Sequence, residues 1–305
     1  MPTFDVITIG SALLDIYLKS DDFAKLSAKQ FPDGRALALD FGGKTEVDDI
    51  EVCSGGAATN NAVAYARKNF KTAVVAEMGT DLIAATIKEE LKREQVDVGM
   101  LVEENNEATG ISCILVHPQG GRSVAVFRGA SKMLTVDDIP WHRLDTHWLH
   151  VSSLGGDMQL MTELIHFAHS NDIKVAINPG KAELEQVSSW KSLLPLINVF
   201  FLNQEEAKPF TTTDYLTTCP LVCITDGKHG GHLLQNGKSQ AYKAKIVPTV
   251  EETGAGDAFG SGFIAALMLN HGLSTAIQWG INQAASVVSH MGAKKGLLTL
   301  KQISA

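Results

Sequence analysis

Residues 147–178, with the sequence HWLHVSSLGGDMQLMTELIHFAHSNDIKVAIN, give the clearest indication of the fold of this protein. The runs His147–Val151 and Ile173–Asn178 are short and largely apolar, as buried strands are. Between them, Asp157–Ser170 repeats apolar residues at helical spacing behind an Asp that suits the N-cap position. This order of strand, helix and strand predicts a βαβ unit, in which the two strands lie parallel within one sheet.

The same alternation of strands and helices continues toward both ends of the chain. Further strands are predicted at Phe4–Ile9, Thr72–Glu77, Ile197–Leu202 and Leu221–Thr225, and further helices at Thr59–Phe70, Asp81–Gln95, Ser188–Leu194, Asp257–His271 and Ser274–Met291. Repeated βαβ units predict an α/β fold of three layers, with a mostly parallel central sheet between helices. Because no repeat, low-complexity tract or linker divides the chain, residues 1–305 are interpreted as a single domain.

Two regions interrupt this alternation. Residues 14–53 hold two strand-like pieces separated by a polar loop. Residues 97–127 hold the turn sequence Pro118-Gln-Gly-Gly121 between two apolar runs, which is typical of a β-hairpin. We expect the two regions to form a small additional sheet beside the main one.

The bulk composition narrows the class of protein. The chain has 305 residues, 45% of them hydrophobic, and a net charge of −8, which speaks against binding to nucleic acid or to an anionic membrane. No apolar stretch approaches the roughly 18 residues that a membrane span needs. The beginning of the chain lacks a signal-peptide pattern, and the four cysteines form no CxxC pair or zinc spacing. These features predict a cytoplasmic enzyme.

The strongest candidate site is Thr253-Gly254-Ala255-Gly256-Asp257, which runs into a predicted helix. Small residues leave backbone N–H groups uncovered, and the N-terminus of the helix adds a positive dipole, so the segment suits an anion. Asp257 has two possible roles at this point. It is a good helix cap, and it is also placed to accept a proton beside a phosphate-binding backbone, as phosphoryl transfer requires.

Four more clusters lie where predicted strands end, which is where sheets of this type bind ligands. They are Gly10-Ser11-Ala12-Leu13-Leu14-Asp15, Ser54-Gly55-Gly56-Ala57-Ala58-Thr59-Asn60-Asn61, Asn203-Gln204-Glu205-Glu206 and Thr225-Asp226-Gly227-Lys228-His229-Gly230-Gly231. Asp15 and Asn60 are able to hold the hydroxyl groups of a polyol. The competing interpretations are a loop for Asp15 and ordinary turns or helix starts for the others.

Two nucleotide-binding motifs are excluded by their spacing. The glycines at 254, 256 and 260 are one residue too far apart for the dinucleotide fingerprint. Gly42-Gly43-Lys44-Thr45 resembles the end of a P-loop, but Ala38 stands where that motif needs its first glycine.

In their order along the chain, these clusters resemble the ribokinase-like (PfkB) family of carbohydrate and nucleoside kinases. The C-terminal signature of the family, Asp-Thr-x-Gly-Ala-Gly-Asp-x-Phe, is matched from Thr253 onward by residues 253–259. The N-terminal signature resembles Gly55-Gly56-x-Ala58-x-Asn60. The resemblance covers nearly the whole chain, from the strand that ends at Gly10 to Gly292-Ala293.

The resemblance implies a role for each matching residue. Asp257 would be the general base, and the backbone of Gly254, Ala255 and Gly256 the anion hole. Asp15, Gly55, Gly56 and Asn60 would hold the phosphate acceptor. Asn203, Thr225, Gly227 and Asn282 would serve ATP, and Glu206 would serve Mg²⁺, mostly through water. Segments 14–53 and 97–127 would form a β-sheet lid, through which several members form homodimers.

Three positions depart from the family pattern. Potassium-dependent members carry Asp where this chain has Glu251, and often Ser where it has Gly296, so dependence on a monovalent cation is left open. Ribokinases carry Lys in the N-terminal signature where this chain has Ala57, which argues against ribose itself.

The leading hypothesis is therefore an ATP-dependent transfer of the γ-phosphate to a hydroxymethyl group of a sugar, ribose-like or hexose-like. A nucleoside kinase of the same family is the first alternative, because a nucleoside would use the same Asp15 and Asn60. A nucleotide-binding regulator without catalytic activity is the second alternative.

Overall fold

The computed structural model describes residues 2–31, 34–211 and 213–305, so residues 32 and 33 of the predicted lid lie outside the described residues. The strands are β1 Phe4–Ile9, β2 Leu13–Lys19, β3 Ala24–Ser27, β4 Arg35–Ala38, β5 Asp49–Gly55, β6 Thr72–Val75, β7 Glu77–Gly79, β8 Val102–Glu104, β9 Gly110–Val116, β10 Arg122–Phe127, β11 Thr146–Val151, β12 Lys174–Ile177, β13 Val199–Asn203, β14 Leu221–Thr225, β15 Gly231–Gln235 and β16 Lys238–Tyr242. The α-helices are α1 Ala57–Ala66, α2 Leu82–Arg93, α3 Met158–Ser170, α4 Lys181–Leu184, α5 Trp190–Leu193, α6 Gln204–Ala207, α7 Ala255–Met268, α8 Leu273–Val288 and α9 Leu300–Ile303.

The main sheet of the described chain has eight strands in the order β16-β15-β14-β13-β12-β11-β1-β6. The six strands from β14 to β6 run parallel, and the βαβ unit predicted from residues 147–178 is confirmed as β11, α3 and β12. Strand β6 lies beside β1 on one side, and β11, which comes later in the chain, lies beside β1 on its other side. The carboxyl ends of β1 and β11 therefore flank the crevice where open α/β sheets bind ligands.

Helices cover both faces of this sheet, which confirms the predicted three layers. Along β1, Ile7 packs in the cluster that contains Leu160 and Leu164 of α3. Its neighbour Val6 packs in the cluster that contains Phe259 and Phe263 of α7. Because successive side chains of a strand point to opposite faces, α3 and α7 lie on opposite sides of the sheet.

A second sheet, called here the small sheet, has the strand order β10-β9-β2-β5. The predicted hairpin is confirmed as the antiparallel pair β9 and β10. Paired residues share a face, so Asp15, Tyr17, Ser112 and Arg122 lie on one face, named the inner face. The outer face carries Ile16, Leu18, Ile50, Val52 and Leu115.

The structure also differs from the prediction at three places. The polar loop expected within residues 14–53 contains a two-stranded ribbon, β3 and β4. The antiparallel hairpin β15–β16 at the edge of the main sheet was not predicted, because the exposed strand Lys238–Tyr242 has no apolar stripe. The helix predicted at Ser188–Leu194 shrinks to α5, because its first residues form a 3₁₀ turn and Leu194 begins another 3₁₀ turn that contains Pro195.

Candidate active site

The glycine-rich segment before α7 forms a turn that ends in a helix N-terminus. Gly254 is the residue before the helix and has φ +77°, in the left-handed region that favours glycine. A Cβ there would also lie 2.6 Å from Cβ of Ala293. The N–H of Ala255 donates to the carbonyl of Glu252 at 3.2 Å, whereas helix geometry provides no partner for those of Gly256 and Asp257. The turn therefore presents backbone donors suited to an anion.

Asp257 does not cap α7, because that helix starts without a side-chain cap. Its Oδ2 instead accepts a hydrogen bond from Nδ2 of Asn60 at 2.8 Å. Burial raises the pKa of Asp257, while the Asn60 hydrogen bond and the nearby charge of Lys294 act in the opposite direction. A carboxylate with a raised pKa beside free backbone N–H groups is chemically suited to accept a proton from a hydroxyl group.

Asn60 comes from the first turn of α1, at the carboxyl end of the small-sheet strand β5. Gly56, just before this helix, has φ +89°, and any side chain there would overlap the carbonyl of Ser11. The hydroxyl of Thr59 donates to the carbonyl of Gly55 at 2.8 Å. This tight entry directs the first turn of α1 toward the first turn of α7, so the two signature segments meet at Asn60 and Asp257.

Asp15 lies in β2 on the inner face and is only 4% exposed, so it is not in a loop. The hydroxyl of Tyr17 donates to its Oδ2 at 3.3 Å. The carboxylate lies directly over Gly55, where a Cβ would overlap it. Burial raises the pKa of Asp15, and the charge of Lys294 opposes this effect. A buried acid with few partners is suited to bind the hydroxyl groups of a ligand.

Lys294 is the main residue of this site that the sequence did not reveal. It follows the last long helix and is 3% exposed. Its Nζ donates to the carbonyl of Ser54, to Oγ1 of Thr59 at 2.9 Å and to Oδ1 of Asn60 at 2.9 Å. Nothing in the sequence around Lys294 indicates that its side chain is buried. The one feature that pointed to it was its position directly after Gly292-Ala293, where the family resemblance ends.

A third group of predicted residues lies farther along the carboxyl edge of the main sheet. Asn203 and Thr225 end the adjacent strands β13 and β14 and are paired in register. Asn203 and Glu206 form a capping box around the start of α6, with bonds of 2.8 and 2.9 Å to each other's backbone N–H. Burial raises the pKa of Glu206.

Gly227 and Asn282 are the remaining residues that the resemblance assigns to ATP. Gly227 has φ +48°, and among the described atoms none lies within 4 Å of the position that a Cβ would take. Asn282 lies on α8, where its Oδ1 accepts from Gln278 at 3.0 Å. The described residues contain no cluster of three or more His, Cys, Asp or Glu that would hold a metal ion without help from a ligand.

Glu251 joins the glycine-rich turn to the small sheet. Its Oε1 accepts hydrogen bonds from Nη1 of Arg122 on β10 at 2.6 Å and from the backbone and side chain of Thr253 at 2.7 and 2.6 Å. Its Oε2 is buried and has no partner in the part of the chain that the structure describes. Gly296 packs against the carbonyl of Ser286 so closely that no side chain fits there.

A cavity of about 760 Å³ lies beside this turn, a volume in the range of small-molecule sites. It is bounded by the ribbon β3–β4, the hairpin turn before β10 and residues 249–252. None of the helices in the described ranges is both long and apolar enough to cross a membrane.

Comparison with known proteins gives consistent findings. The profile of a family described as pfkB family carbohydrate kinase matches residues 4–300. A protein named ribokinase from Haemophilus influenzae is 26% identical over 273 residues, covering 83% of this chain and 87% of its own length. A fructokinase from Vibrio alginolyticus is 25% identical over 280 residues, covering 82% of this chain and 90% of its own.

Solved structures share the fold at lower identity. A ribokinase from Thermotoga maritima has a TM-score of 0.78 and 20% identity, covering 99% of this chain and 98% of that chain. A nucleoside kinase from Methanocaldococcus jannaschii has a TM-score of 0.79 and 20% identity, covering 100% of this chain and 98% of that chain. The predicted ribokinase-like fold is thereby confirmed.

Proposed function

Because the chain belongs to the pfkB family of carbohydrate kinases, we propose that it transfers the γ-phosphate of ATP to a hydroxymethyl group of a sugar. The observation that carries this proposal is the contact of Asn60 with Asp257 at the N-terminus of α7. It joins a proton acceptor, a polar residue suited to the acceptor sugar and a set of free backbone donors within one small volume.

Asp257 acts as the general base in the proposed reaction. Its carboxylate takes the proton from the attacking hydroxyl group, while the backbone of residues 254–257 stabilises the charge on the phosphoryl group in transfer. The hydrogen bond from Asn60 occupies Oδ2, which leaves Oδ1 for the acceptor hydroxyl. Positioning and electrostatics account for most of the catalysis in reactions of this type.

Asp15 and Asn60 orient the acceptor between the small sheet and α7. The carboxylate of Asp15 accepts hydrogen bonds from ring hydroxyls, and the small residues Gly55 and Gly56 allow the ligand to approach the backbone. Binding of a polyol would add hydrogen bonds from its hydroxyl groups to the one that Asp15 accepts from Tyr17.

The nucleotide lies across the carboxyl ends of β13 and β14 in this proposal. Asn203, Thr225 and Gly227 line the path of the phosphates and ribose, and Asn282 borders the base. Glu206 fits a Mg²⁺ ion held through water, because magnesium in such sites keeps several waters and uses few carboxylates beside the substrate phosphates. When bound, Mg²⁺ would neutralise charge on the phosphate oxygens.

The test is phosphorylation of a panel of sugars and nucleosides by the wild type and by Asp257→Asn. We expect the variant to lose about 10²–10⁴-fold in kcat, which is the usual contribution of a general base. Asp172→Asn is the matched control, because Asp172 is exposed and lies before β12, at the opposite edge of the sheet. Near-normal turnover by Asp257→Asn would refute the assignment of the base, and ATP binding without turnover on any acceptor would favour a regulator.

The inner face favours a sugar over a nucleoside as acceptor. Among the aromatic residues weighed as base-stacking partners, Tyr17 is buried with its hydroxyl on Asp15, and Phe127 lies on the outer face. Phe41 is fully exposed in a loop. A thermal-shift screen of sugars, sugar phosphates and nucleosides tests this preference, because a ligand raises the melting temperature by binding the folded state. A larger shift with nucleosides would support the alternative.

A further inference from the structure

The ammonium group of Lys294 binds atoms of the protein itself rather than a ligand. Its ammonium group has three N–H donors, and it has three acceptors, in Ser54, Thr59 and Asn60. These acceptors belong to the end of β5 and the first turn of α1. No N–H donor is left for a substrate. Lys294 therefore affects the site through the position of the groups that accept its hydrogen bonds.

The contact with Asn60 determines which way that side-chain amide points. An ammonium group only donates hydrogen bonds, so the atom that faces Lys294 must be the carbonyl oxygen Oδ1. The amide nitrogen Nδ2 must then point the other way, where it meets Oδ2 of Asp257 at 2.8 Å. Two hydrogen bonds thus link the three side chains in what we call the relay: Lys294 donates to Asn60, and Asn60 donates to Asp257.

We infer that Lys294 is a positioning residue for phosphoryl transfer, which acts through the Asn60 amide to hold the Asp257 carboxylate in line with the acceptor hydroxyl. This inference rests on the proposed function. Without the ammonium group, the Asn60 amide is held only by its hydrogen bond to Asp257. The Asn60 amide and the Asp257 carboxylate would then be free to move together away from the orientation that the acceptor hydroxyl requires.

The charges around Lys294 support this role. Three carboxylates on three elements lie near enough to interact with its charge: Glu90 on α2, Asp15 on β2 and Asp257 on α7. Burial lowers the pKa of Lys294, and these three carboxylates oppose that effect. In return, the charge of Lys294 lowers the pKa of both Asp15 and Asp257, which favours the carboxylate form that a base needs.

The first test compares Lys294→Met with Lys295→Met. Lys295 is the neighbouring lysine, but it is exposed and pairs with Glu51 at 3.2 Å, so it controls for loss of a positive charge. We expect Lys294→Met to lose about 100-fold in kcat, the usual cost of a misplaced catalytic group, while KM for the acceptor changes less than about threefold. Lys295→Met should resemble the wild type. An unchanged kcat in Lys294→Met overturns the inference.

The second test separates positioning from general structural support. In the Asn60→Ala background, Lys294→Met should lower kcat by less than about twofold, because the relay is already broken. Lys294→Gln, whose amide can still donate to Oδ1 of Asn60, should recover part of the activity, and it replaces Lys294→Met if that variant does not fold. Full additivity of the Asn60 and Lys294 effects would show that the two residues act independently.

The third test needs no turnover and so distinguishes this inference from the proposed function. The carboxyl resonance of Asp257 is identified by its loss in Asp257→Asn and titrated by carbon NMR in protein labelled at aspartate. We expect Lys294→Met to raise its pKa more in the wild-type background than in the Asn60→Ala background, because the direct effect of the Lys294 charge is present in both. If no acceptor is phosphorylated but this difference occurs, the proposed function fails and the relay stands; an equal rise in both backgrounds overturns the relay.

Discussion

At the scale of single residues, Asp257 is subject to two opposing effects. Burial raises its pKa, and the hydrogen bond from Asn60 is the first of the effects that lower it. A general base must be ionised to work, so activity falls when the pH drops through its pKa. The environment of one carboxylate therefore determines the acid limb of the pH profile.

We expect the acid limb of kcat/KM to lie above the pKa of about 3.9 of an exposed Asp. Replacement of Asn60 by Ala removes a hydrogen bond to the ionised form, so the limb should move to still higher pH in that variant. Rate profiles between pH 4 and 9 measure both effects. A limb that moves to lower pH in Asn60→Ala would contradict the assignment of Asp257 as the base.

The same raised pKa has a consequence for stability. The folded protein binds the Asp257 proton more tightly than the unfolded chain does, so the fold loses stability as the pH rises above the unfolded pKa. Asp257→Asn should therefore melt at a higher temperature than the wild type at pH 8. The difference should nearly vanish near pH 3, below the unfolded pKa of about 3.9, because the carboxyl group is then protonated in both states. Melting curves at the two pH values measure it, and an equal difference at both would exclude this cause.

At the scale of elements, the start of α7 contains two glycines with different requirements. Gly254 needs its positive φ and has no room for a methyl group beside Ala293. Gly256 lies in the helix, and no described atom lies within 4 Å of its missing Cβ. The fold therefore needs a glycine at 254, whereas the glycine at 256 leaves space for a ligand.

We expect Gly256→Ala to fold with an unchanged or slightly higher melting temperature, because Ala is favoured over Gly in a helix by about 1 kcal/mol. Its methyl group would lie beside the anion-binding N–H groups, so phosphoryl transfer should fall by about 100-fold. Gly254→Ala should lose stability as well as activity. Gly272→Ala is the control, since Gly272 precedes α8 and is equally open. Normal turnover by Gly256→Ala would place the phosphate elsewhere.

The ion pair of Arg122 with Glu251 connects two other elements, β10 of the small sheet and the turn before α7. The Glu251 side chain is 1% exposed and that of Arg122 is 37% exposed. The guanidinium group thus supplies a positive charge next to the anion-binding turn. The remaining oxygen of Glu251 is the one place in this pair where a further cation would bind.

We expect wild-type turnover to be the same in potassium and in tetramethylammonium salts, because Arg122 already balances the charge of Glu251. Arg122→Met should lose about 1–2 kcal/mol of stability, less than a fully buried pair would. This variant should also become responsive to potassium. Initial rates in the two salts and melting curves provide the measurement, and strong potassium activation of the wild type would show that Glu251 binds the ion.

At the scale of the whole molecule, the outer face of the small sheet is the feature that suggests a partner. Near the main body it is covered by α2, since Ile16 packs with Ala84, Ile87 and Leu91. Farther out, Ile50 and Val52 are 57% and 49% exposed. Apolar residues grouped on a sheet face commonly mark a contact with another protein.

We expect the protein to form a homodimer through this outer face. Val52→Asp should produce a monomer, because a buried carboxylate without a partner is costly in an interface. Leu269→Asp is the matched control, since Leu269 is also exposed but lies at the far end of α7. Light scattering during size-exclusion chromatography measures the mass. A monomeric wild type would exclude the dimer.

Much of the fold followed from local sequence patterns. The apolar runs and helical periodicity of residues 147–178 predicted β11, α3 and β12, because burial on both faces of a parallel sheet leaves a direct signature in the chain. Strand β16 gave no such signature, because it is the edge strand of the sheet and its residues 238–241 are exposed. The capping interpretation of Asp257 also failed, because the choice between a helix cap and Asn60 depends on the position of α1.

The α/β class and, through the resemblance of the glycine-rich segments, the family could be recognised from the order of the amino acids alone. The burial of Asp15 and the contacts of Lys294 with Asn60 and of Asn60 with Asp257 became apparent only in the folded protein. Helices and strands depend on residues that are close together in the chain, so a local sequence pattern can predict them. The relay joins residues 60, 257 and 294, which come together only when the folded sheet brings the ends of distant elements close to each other. Whether a lysine is buried or exposed is likewise set by the fold and not by its residue type.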